Sequence, residues 1–468
     1  LRRLGNTQEA VAALGNITVK DPLDFRSGNE AYLLSLKNGN HSEKQLSDLT
    51  RKMRDFEQNY LELAVNYMND GLYDEAEVVL HRFKGKNQEV SYLLGYLADY
   101  KGQKEEADKY IHEGSLLPVD YGFPFRLEMV KVLELASEYY PKDARPYYYL
   151  GNLLYDKQPK KAIASWEKAV ALDPSLAIAW RNLGWGYYQN NKDVAKAISA
   201  YEKAVSLKKD DPVYYAELDP LYELNNTPIE RRSTLFDSVN DIVKKRDDSF
   251  VREIIVLNLA GQPEKSVEYL SNSVFHFREG SSRVRDITVD AHLLLGQKYM
   301  EQKKYKEALD QFLSSVETTE TTKPGKYTGD PRSAQINYFI ALAYEAMGNK
   351  AKAKDYFARS TQEPLHEGDY LNYYQGLSYQ KLGQKDKATN CFNQLIAEGE
   401  KKQKQGDEVD FFAKFGEKES ANVQQSNAFL LKGLGYKGLG EPAKATENLQ
   451  KAVELSASNL WAKVELDD

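Results

Sequence analysis

The sequence predicts an all-α fold, an α-solenoid of about 12–13 helical hairpins of which some are degenerate. The first observation is a repeat: similar residues recur 33 to 35 positions apart, as between Gly151 and Gly184 or between Ala162 and Ala197. The second is the pattern inside each repeat, in which a small residue, an aromatic residue, a turn and an alanine follow one another in a fixed order. A single hairpin of this kind cannot bury its apolar face, so successive hairpins must stack.

Composition supports a folded chain and excludes several classes of protein. Hydrophobic residues make up 41% of the 468 residues and charged residues 28%, which excludes a disordered chain. The 29 glycines and 15 prolines are too few for a collagen-like or low-complexity chain. No run of about 18 apolar residues occurs, so we expect no transmembrane segment. A net charge of −7 argues against nucleic acid as a partner.

The repeat pattern places the hairpins along the chain. Eight clear units begin near Gln58, Glu89, Arg145, Ile178, Asp290, Gln335, Tyr370 and Asn427. Weaker units lie at 1–22, 23–56, 119–141, 212–247 and 248–278. Small residues recur at one phase of the first helix, at Gly95, Gly151, Gly184, Gly296, Ala341, Gly376 and Gly433. Because a glycine inside a helix costs about 1 kcal/mol relative to alanine, we expect these positions to be required for close helix pairing.

Several segments depart from the pattern. Two prolines and a glycine in PVDYGFPF (118–125) predict an extended loop, followed by a helix from Arg126 to Tyr139 that Pro141 ends. Polar stretches predict inter-repeat loops at 279–288, 317–333 and 400–425, the last with a short helix carrying Phe411, Phe412 and Phe415. We divide the chain into N-terminal units (1–118, the first truncated), an irregular half-unit (119–141), central units (142–278) and C-terminal units with long loops (279–468).

Residues that carry chemistry are sparse, so the sequence predicts neither an enzyme nor a cofactor. Cys391 is the single cysteine, and no two of the six histidines have metal-ligand spacing. Gly433, Gly435 and Gly438 match the spacing of a dinucleotide-binding fingerprint, but no strand precedes them and they fall in phase with the helical repeat.

One unit carries a recognisable family pattern. It runs through Tyr147, Leu150, Gly151, Leu154, Ala162, Trp166, Ala169 and Pro174. This order resembles the tetratricopeptide repeat (TPR), and the resemblance covers nearly the whole chain. It implies a right-handed superhelix whose first helices line a concave groove. At the groove positions of three units, the candidate residues are Tyr92, Tyr96 and Tyr100; Tyr148, Asn152 and Tyr155; and Arg181, Trp185 and Tyr188.

Two interpretations of these aromatic residues remain open. Aromatic stripes at helical spacing often fill the layer between helices, and in this fold tyrosine does so as well. Alternatively the rings grip apolar side chains of an extended peptide while Asn152 and Arg181 pair with its polar groups. The family's carboxylate-clamp repeats hold a C-terminal acid with Lys and Asn, but here Tyr148 stands where the lysine is expected.

A second resemblance is narrower. The order NYLELAVNY, FPFRLE, YYLGNLLYDKQ, AWRNLGWGYY and FHFREG is similar to a bacterial family of unknown function, with Arg278 where a tryptophan is expected. That family carries a β-sandwich domain upstream of its repeats. We therefore predict a non-enzymatic scaffold that binds a protein or peptide in the groove. The alternatives are the accessory half of a carbohydrate-acting or carbohydrate-binding protein, and a spacer. The compartment is open between cytoplasm and periplasm, since the chain begins as if truncated.

Overall fold

A computed structural model describes residues 1–37, 43–120, 122–275, 283–316, 332–366, 368–405 and 421–467. Within these ranges the chain forms 26 helices and no strand, so the predicted all-α fold is confirmed. The helices group into two compact units, residues 1–192 (unit 1) and 193–468 (unit 2), each with its own packing.

Unit 1 contains eleven helices, most of them paired with the next along the chain. Their bounds are α1 Thr7–Lys20, α2 Phe25–Lys37, α3 Glu43–Met53, α4 Glu57–Asn69, α5 Tyr73–Leu80, α6 Gln88–Tyr100, α7 Lys104–Ser115, α8 Met129–Tyr139, α9 Arg145–Leu154, α10 Pro159–Leu172 and α11 Ala177–Gln189. Turn glycines with positive φ follow α4 and α6, at Gly71 and Gly102. Only glycine adopts this conformation without strain, which fixes where each first helix ends.

Unit 2 contains fifteen helices. They are α12 Val194–Leu207, α13 Pro212–Leu224, α14 Ile229–Leu235, α15 Asn240–Val243, α16 Asp247–Leu259, α17 Pro263–Ser271, α18 Arg283–Glu301, α19 Tyr305–Ser314, α20 Ser333–Ala346, α21 Lys350–Ser360, α22 Asn372–Lys381, α23 Lys385–Gln405, α24 Ala421–Gly438, α25 Pro442–Leu455 and α26 Leu460–Asp467. The buried core of its second half runs without interruption from α18 to α26.

Most predicted hairpin starts coincide with observed helix starts to within two residues, for example at Arg145 for α9. Two first helices begin six or seven residues earlier than predicted, α18 at Arg283 and α24 at Ala421. The expectation of a loop at 400–425 was therefore wrong at both ends, since α23 continues to Gln405 and α24 begins at Ala421. The expectation of a loop at 279–288 was wrong from residue 283 onward, where α18 begins. Val284 and Ile287 are buried there, and their three-residue spacing puts both on one helical face. This apolar face overrides the polar composition that suggested a loop.

The small residues of the first helices lie where the second helix of the same hairpin approaches closely. A Cβ atom built on Gly151 would lie 2.2 Å from Nε1 of Trp166, and one on Gly296 would lie 2.1 Å from the ring of Phe312. On Gly376 it would lie 2.4 Å from Phe392. Because real Cβ atoms essentially never approach so closely, the predicted packing role of these glycines is confirmed.

The three glycines with fingerprint spacing all lie inside α24. A Cβ on Gly433 would overlap Leu449 of α25, and Cβ atoms on Gly435 and Gly438 would overlap α23 at Ile396 and Phe392. Their spacing therefore serves packing of one helix between two neighbours.

Over its described residues, the segment between α7 and α8 is irregular, and α8 begins at Met129, three residues later than predicted. Exposure alternates along it: Gly122 and Pro124 are buried, whereas Phe123 and Phe125 are exposed. The Gln88 side-chain amide donates to the carbonyl oxygen of Pro118, and Arg126 pairs with Glu62. The predicted loop thus packs on the first helices of unit 1 through its inward-facing residues.

Within unit 2, the turn before α26 is tied to helices more than 200 residues earlier. The Asn226 side chain accepts a hydrogen bond from the backbone N–H of Ala457 at 2.6 Å, and Nη1 of Arg232 donates to Oγ of Ser458 at 2.5 Å. Arg232 is fully buried and pairs twice with Asp219, at 2.8 and 2.9 Å. A buried charge pair of this kind persists because each partner satisfies the other.

Two expectations fall outside the described residues: the short helix with Phe411, Phe412 and Phe415, and residues 276–280 of FHFREG. Among the helices that the structure describes, none combines the length and apolar character needed to cross a membrane.

We predict that Gly151→Leu lowers the free energy of unfolding by about 1–3 kcal/mol, because the new side chain must displace the Trp166 ring. Urea unfolding followed by circular dichroism measures this. The matched control is Gly15→Leu in α1, where a Cβ meets nothing within 4 Å. Equal unfolding midpoints for Gly151→Leu and the wild type would contradict the close contact of Gly151 with Trp166.

Candidate functional site

Eight of the nine candidate residues lie on three first helices of unit 1, α6, α9 and α11, and the ninth, Tyr155, directly follows α9. They differ in accessibility. Tyr92 and Tyr148 are buried, whereas Tyr100 and Trp185 expose 60% and 40% of their surface. The others are partly exposed: Tyr96, Asn152, Tyr155, Arg181 and Tyr188. The sequence-predicted set therefore contains both core residues and residues that a ligand can reach.

The α6 residues are held by contacts to neighbouring hairpins. The Tyr92 hydroxyl donates to Oδ2 of Asp143 at 3.4 Å. The Tyr100 ring lies 4.2 Å from that of Tyr73 on α5, measured between centroids. Tyr92 thus ties α6 to the turn before α9, and Tyr100 covers the end of α5.

The α9 and α11 residues meet in one polar cluster. Oδ1 of Asn152 accepts hydrogen bonds from Nε1 of Trp166 at 3.0 Å and from Nδ2 of Asn182 at 2.9 Å. Nη1 of Arg181 donates to Oδ1 of Asn182 at 3.3 Å. We call Tyr148, Asn152, Arg181 and Asn182 the amide cluster. The hydrogen bond between Asn152 and Asn182 joins the adjacent first helices α9 and α11.

The cluster depends on one residue that motif analysis treated only as packing. Trp166 lies on the second helix α10, and its N–H reaches both Asn152 and the carbonyl oxygen of Tyr148, the latter at 3.2 Å. The residue type alone could have indicated this role, because tryptophan is the one large aromatic residue whose side chain carries an N–H donor. Trp166 therefore fixes the orientation of the Asn152 amide.

The outer residues add aromatic surface beside the cluster. Tyr155 packs against Trp166 with ring centroids 5.2 Å apart, and its hydroxyl donates to Oδ1 of Asn190 at 2.8 Å. Nζ of Lys192 lies 6.0 Å from the centroid of the Tyr188 ring. The exposed Trp185 lies three residues after Asn182 on the same side of α11.

Burial controls the protonation of the cluster. Desolvation raises the pKa of Tyr148, and this outweighs the opposing effects of the Asn152 hydrogen bond and the positive charge of Arg181. The phenol therefore stays neutral and remains a hydrogen-bond donor at physiological pH.

A second perturbed group lies at the start of α6. Burial raises the pKa of Glu89 to about 7, although a hydrogen bond from the backbone N–H of Phe123 favours the charged form; the nearby Glu57 carboxylate adds to the rise. The hydrogen bond from the Phe123 backbone N–H to the Glu89 carboxylate thus connects the segment before α8 to α6, and its acceptor has a pKa of about 7.

Comparison with known families confirms the repeat. Residues 153–212, 334–362 and 370–398 each match a sequence profile described as tetratricopeptide repeat. The first match contains Trp166 and the α11 part of the amide cluster, and the other two begin at the hairpins of α20 and α22. The chain therefore contains tetratricopeptide repeats, and the predicted resemblance is confirmed.

Solved structures with similar architecture include YrrB, described as a TPR protein with an unusual peptide-binding site, at 22% identity over 49% of this chain and 91% of that one, with a TM-score of 0.23. Pseudomonas aeruginosa PilF matches at 17% identity, 50% and 97% coverage and a TM-score of 0.29. A human IFIT1 dimer with PPP-AAAA matches at 15% identity, 88% and 95% coverage and a TM-score of 0.27. None of these similarities identifies a ligand of this chain.

We predict that Glu89→Gln stabilises unit 1 at pH 8 and has little effect below pH 4.5. The folded protein holds the Glu89 proton with a pKa near 7, against an ordinary value of 4.5. Wild-type stability therefore falls as pH rises from 4.5 through 7, and the glutamine variant lacks this loss. The measurement is the urea midpoint of variant minus wild type between pH 4.5 and 8. Glu105→Gln, exposed on α7, is the control, and a constant difference would contradict the assignment.

Two tryptophans test the distinction between core and surface. Trp166→Ala should cost about 3–5 kcal/mol of unfolding free energy, because the ring is buried against Gly151 and Tyr155. Trp185→Ala should change stability far less, because 40% of its surface is exposed. Urea titrations of the two variants check this, and equal losses would assign Trp185 to the core.

Proposed function

We propose that this chain is a non-enzymatic scaffold that binds an extended protein segment on the α9–α11 face of unit 1. The observation that carries the proposal is the amide cluster. Asn152 and Asn182 are oriented by fixed hydrogen bonds, and the exposed Trp185 lies three residues after Asn182 on the same side of α11. Tetratricopeptide repeats support a protein-interaction role in general, and the cluster supplies a specific surface for it.

The chemistry of the cluster suits a peptide backbone. An extended segment presents unpaired N–H and C=O groups at regular intervals. Trp166 and Asn182 occupy both acceptor positions of the Asn152 oxygen, so Asn182, which accepts one bond and donates one, is the amide that would pair with both kinds of group. Arg181 adds a positive charge for an acidic side chain or a carbonyl oxygen of the ligand. Trp185, Tyr155 and Tyr188 supply aromatic faces for apolar side chains of the same segment.

Pre-organisation strengthens the proposal. Because Trp166 holds Asn152 in place before a ligand arrives, binding does not have to order this amide. Tyr92 and Tyr148, both buried, act in this proposal as supports beneath the face rather than as contacts.

The proposal predicts that Arg181→Ala/Trp185→Ala weakens peptide binding about tenfold or more, because it removes the charge and the exposed ring together. Peptides selected on the wild-type protein from a random dodecapeptide display library serve as probes, and isothermal titration measures affinity. The matched control is Lys160→Ala/Lys161→Ala, which removes two exposed side chains from α10. Unchanged binding by the Arg181/Trp185 variant would place the peptide site elsewhere.

The carbohydrate alternative makes a different prediction for the same face. Stacking of a sugar on Trp185 would change the indole fluorescence of the wild type and leave that of Trp185→Phe unchanged. A soluble-glycan screen with both proteins therefore separates the two functions, since peptide binding requires no response to any glycan.

A further inference from the structure

Unit 2 already holds a helix on its first helices. The helix is α26. Its side chains contact the first helices of five hairpins, which are α16, α18, α20, α22 and α24. In a tetratricopeptide array these first helices line the concave face. The eight residues of α26 thus occupy the position that a ligand of unit 2 would take.

Two side chains one helical turn apart make the main contacts. Trp461 packs against Phe339 and Tyr374, whose rings also contact each other, with centroids 6.4 and 6.1 Å away, and its Nε1 donates to Oδ1 of Asp290 at 3.1 Å. The second side chain is Glu465, four residues on, which lies on the same face of the helix. Its two carboxylate oxygens accept separate hydrogen bonds.

The Glu465 carboxylate is bound by one hydroxyl and one ammonium group. The Tyr374 hydroxyl donates to Oε1 at 2.9 Å, and Nζ of Lys437 lies 3.1 Å from Oε2. Burial and the Glu465 charge raise the pKa of Tyr374, so this hydroxyl remains a donor. The face therefore recognises an indole and a carboxylate spaced by one turn.

Of the groups that hold α26, Asp290 keeps a second partner if the helix leaves. Asp290 also accepts a hydrogen bond from Nη2 of Arg332 at 2.6 Å, and Arg332 donates to Oε1 of Gln335. Lys437 and Tyr374 carry polar groups that water can solvate if the helix leaves. Removal of α26 would thus leave Asp290 paired with Arg332, and would open to water an aromatic patch, Phe339 and Tyr374, beside the ammonium group of Lys437.

The helix itself is short and tethered. A helix of eight residues is not stable alone in water, so α26 persists because it is docked. The turn before it is fixed by Asn226 and Arg232, which keeps the released helix close to its site. Any competing ligand must overcome this high local concentration.

We propose that the concave face of unit 2 is a helix-binding site for a partner protein, and that α26 occupies it as an exchangeable internal ligand. The partner helix carries an aromatic residue followed four positions later by an acidic residue, as α26 does. The inference rests on the proposed scaffold function but names a different face of the chain, so either site can fail without the other.

The test uses the full chain and a labelled peptide of residues 456–467, SASNLWAKVELD. The variant Trp461→Ala/Glu465→Gln weakens the internal helix and leaves the groups that bind it, Asp290, Tyr374 and Lys437, unchanged. Fluorescence anisotropy should show the peptide binding this variant about tenfold or more tightly than the wild type, because the internal competitor is removed. Hydrogen exchange should show that the amides of 460–467 lose protection in the variant while those of α24 and α25 keep theirs.

Two further proteins control the test. Glu447→Gln/Lys451→Gln changes an exposed pair on α25 and should bind the peptide as the wild type does. Adding Tyr374→Phe to the opened variant should weaken binding about fivefold, because one hydrogen bond to the peptide carboxylate is lost. If the opened variant fails to fold, Glu465→Gln alone replaces it and should bind more peptide than the wild type.

Three results would overturn the proposal. The first is that no folded variant binds the peptide better than the wild type. The second is unchanged protection of residues 460–467 in the opened variant, which would make α26 a permanent part of the core. The third is a concentration-dependent dimer of the wild type in which α26 is exchanged, since the occupant would then be a second copy. Loss of peptide binding at Arg181 and Trp185 bears on unit 1 alone.

Discussion

The close approach of two helices at a glycine is the contact on which the structure depends. In the hairpins that contain Gly151, Gly296 and Gly376, an aromatic ring of the second helix rests directly on the backbone of the first. This contact fixes the distance and the rotation between the paired helices, because the first helix has no side chain there that could move aside. The candidate site follows from it. The ring that lies against Gly151 belongs to Trp166, and the same geometry carries its N–H to Asn152.

Sequence patterns predicted the hairpins well because the information that specifies them is local. Small residues and their aromatic partners within one hairpin are separated by about half a repeat, so their recurrence is visible as spacing. The start of α18 shows where composition misleads. Its first turns are rich in polar residues, yet Val284 and Ile287 carry a buried face that two apolar side chains suffice to define.

The candidate site was less predictable, and the reason is also physical. Tyr92 and Tyr148 occupy the same phase as residues at the surface, but each is covered by side chains from neighbouring elements that spacing does not reveal. The contact between Asn152 and Asn182 joins residues of successive hairpins. The position of α26 is a stronger case, since it depends on curvature summed over several hairpins, and small rotations per hairpin leave no mark on residue identity.

The bonds from Asn226 and Arg232 to the turn before α26 also change how unit 2 responds to force and to denaturant. A repeat array with contacts only between neighbours behaves like an open spring that frays from either end. The bond between Arg232 and Ser458 joins residues more than 200 positions apart, so the terminal hairpins of unit 2 cannot fray without breaking it. Contacts between residues so distant in sequence slow folding in general, and their loss couples the opening of both ends of unit 2.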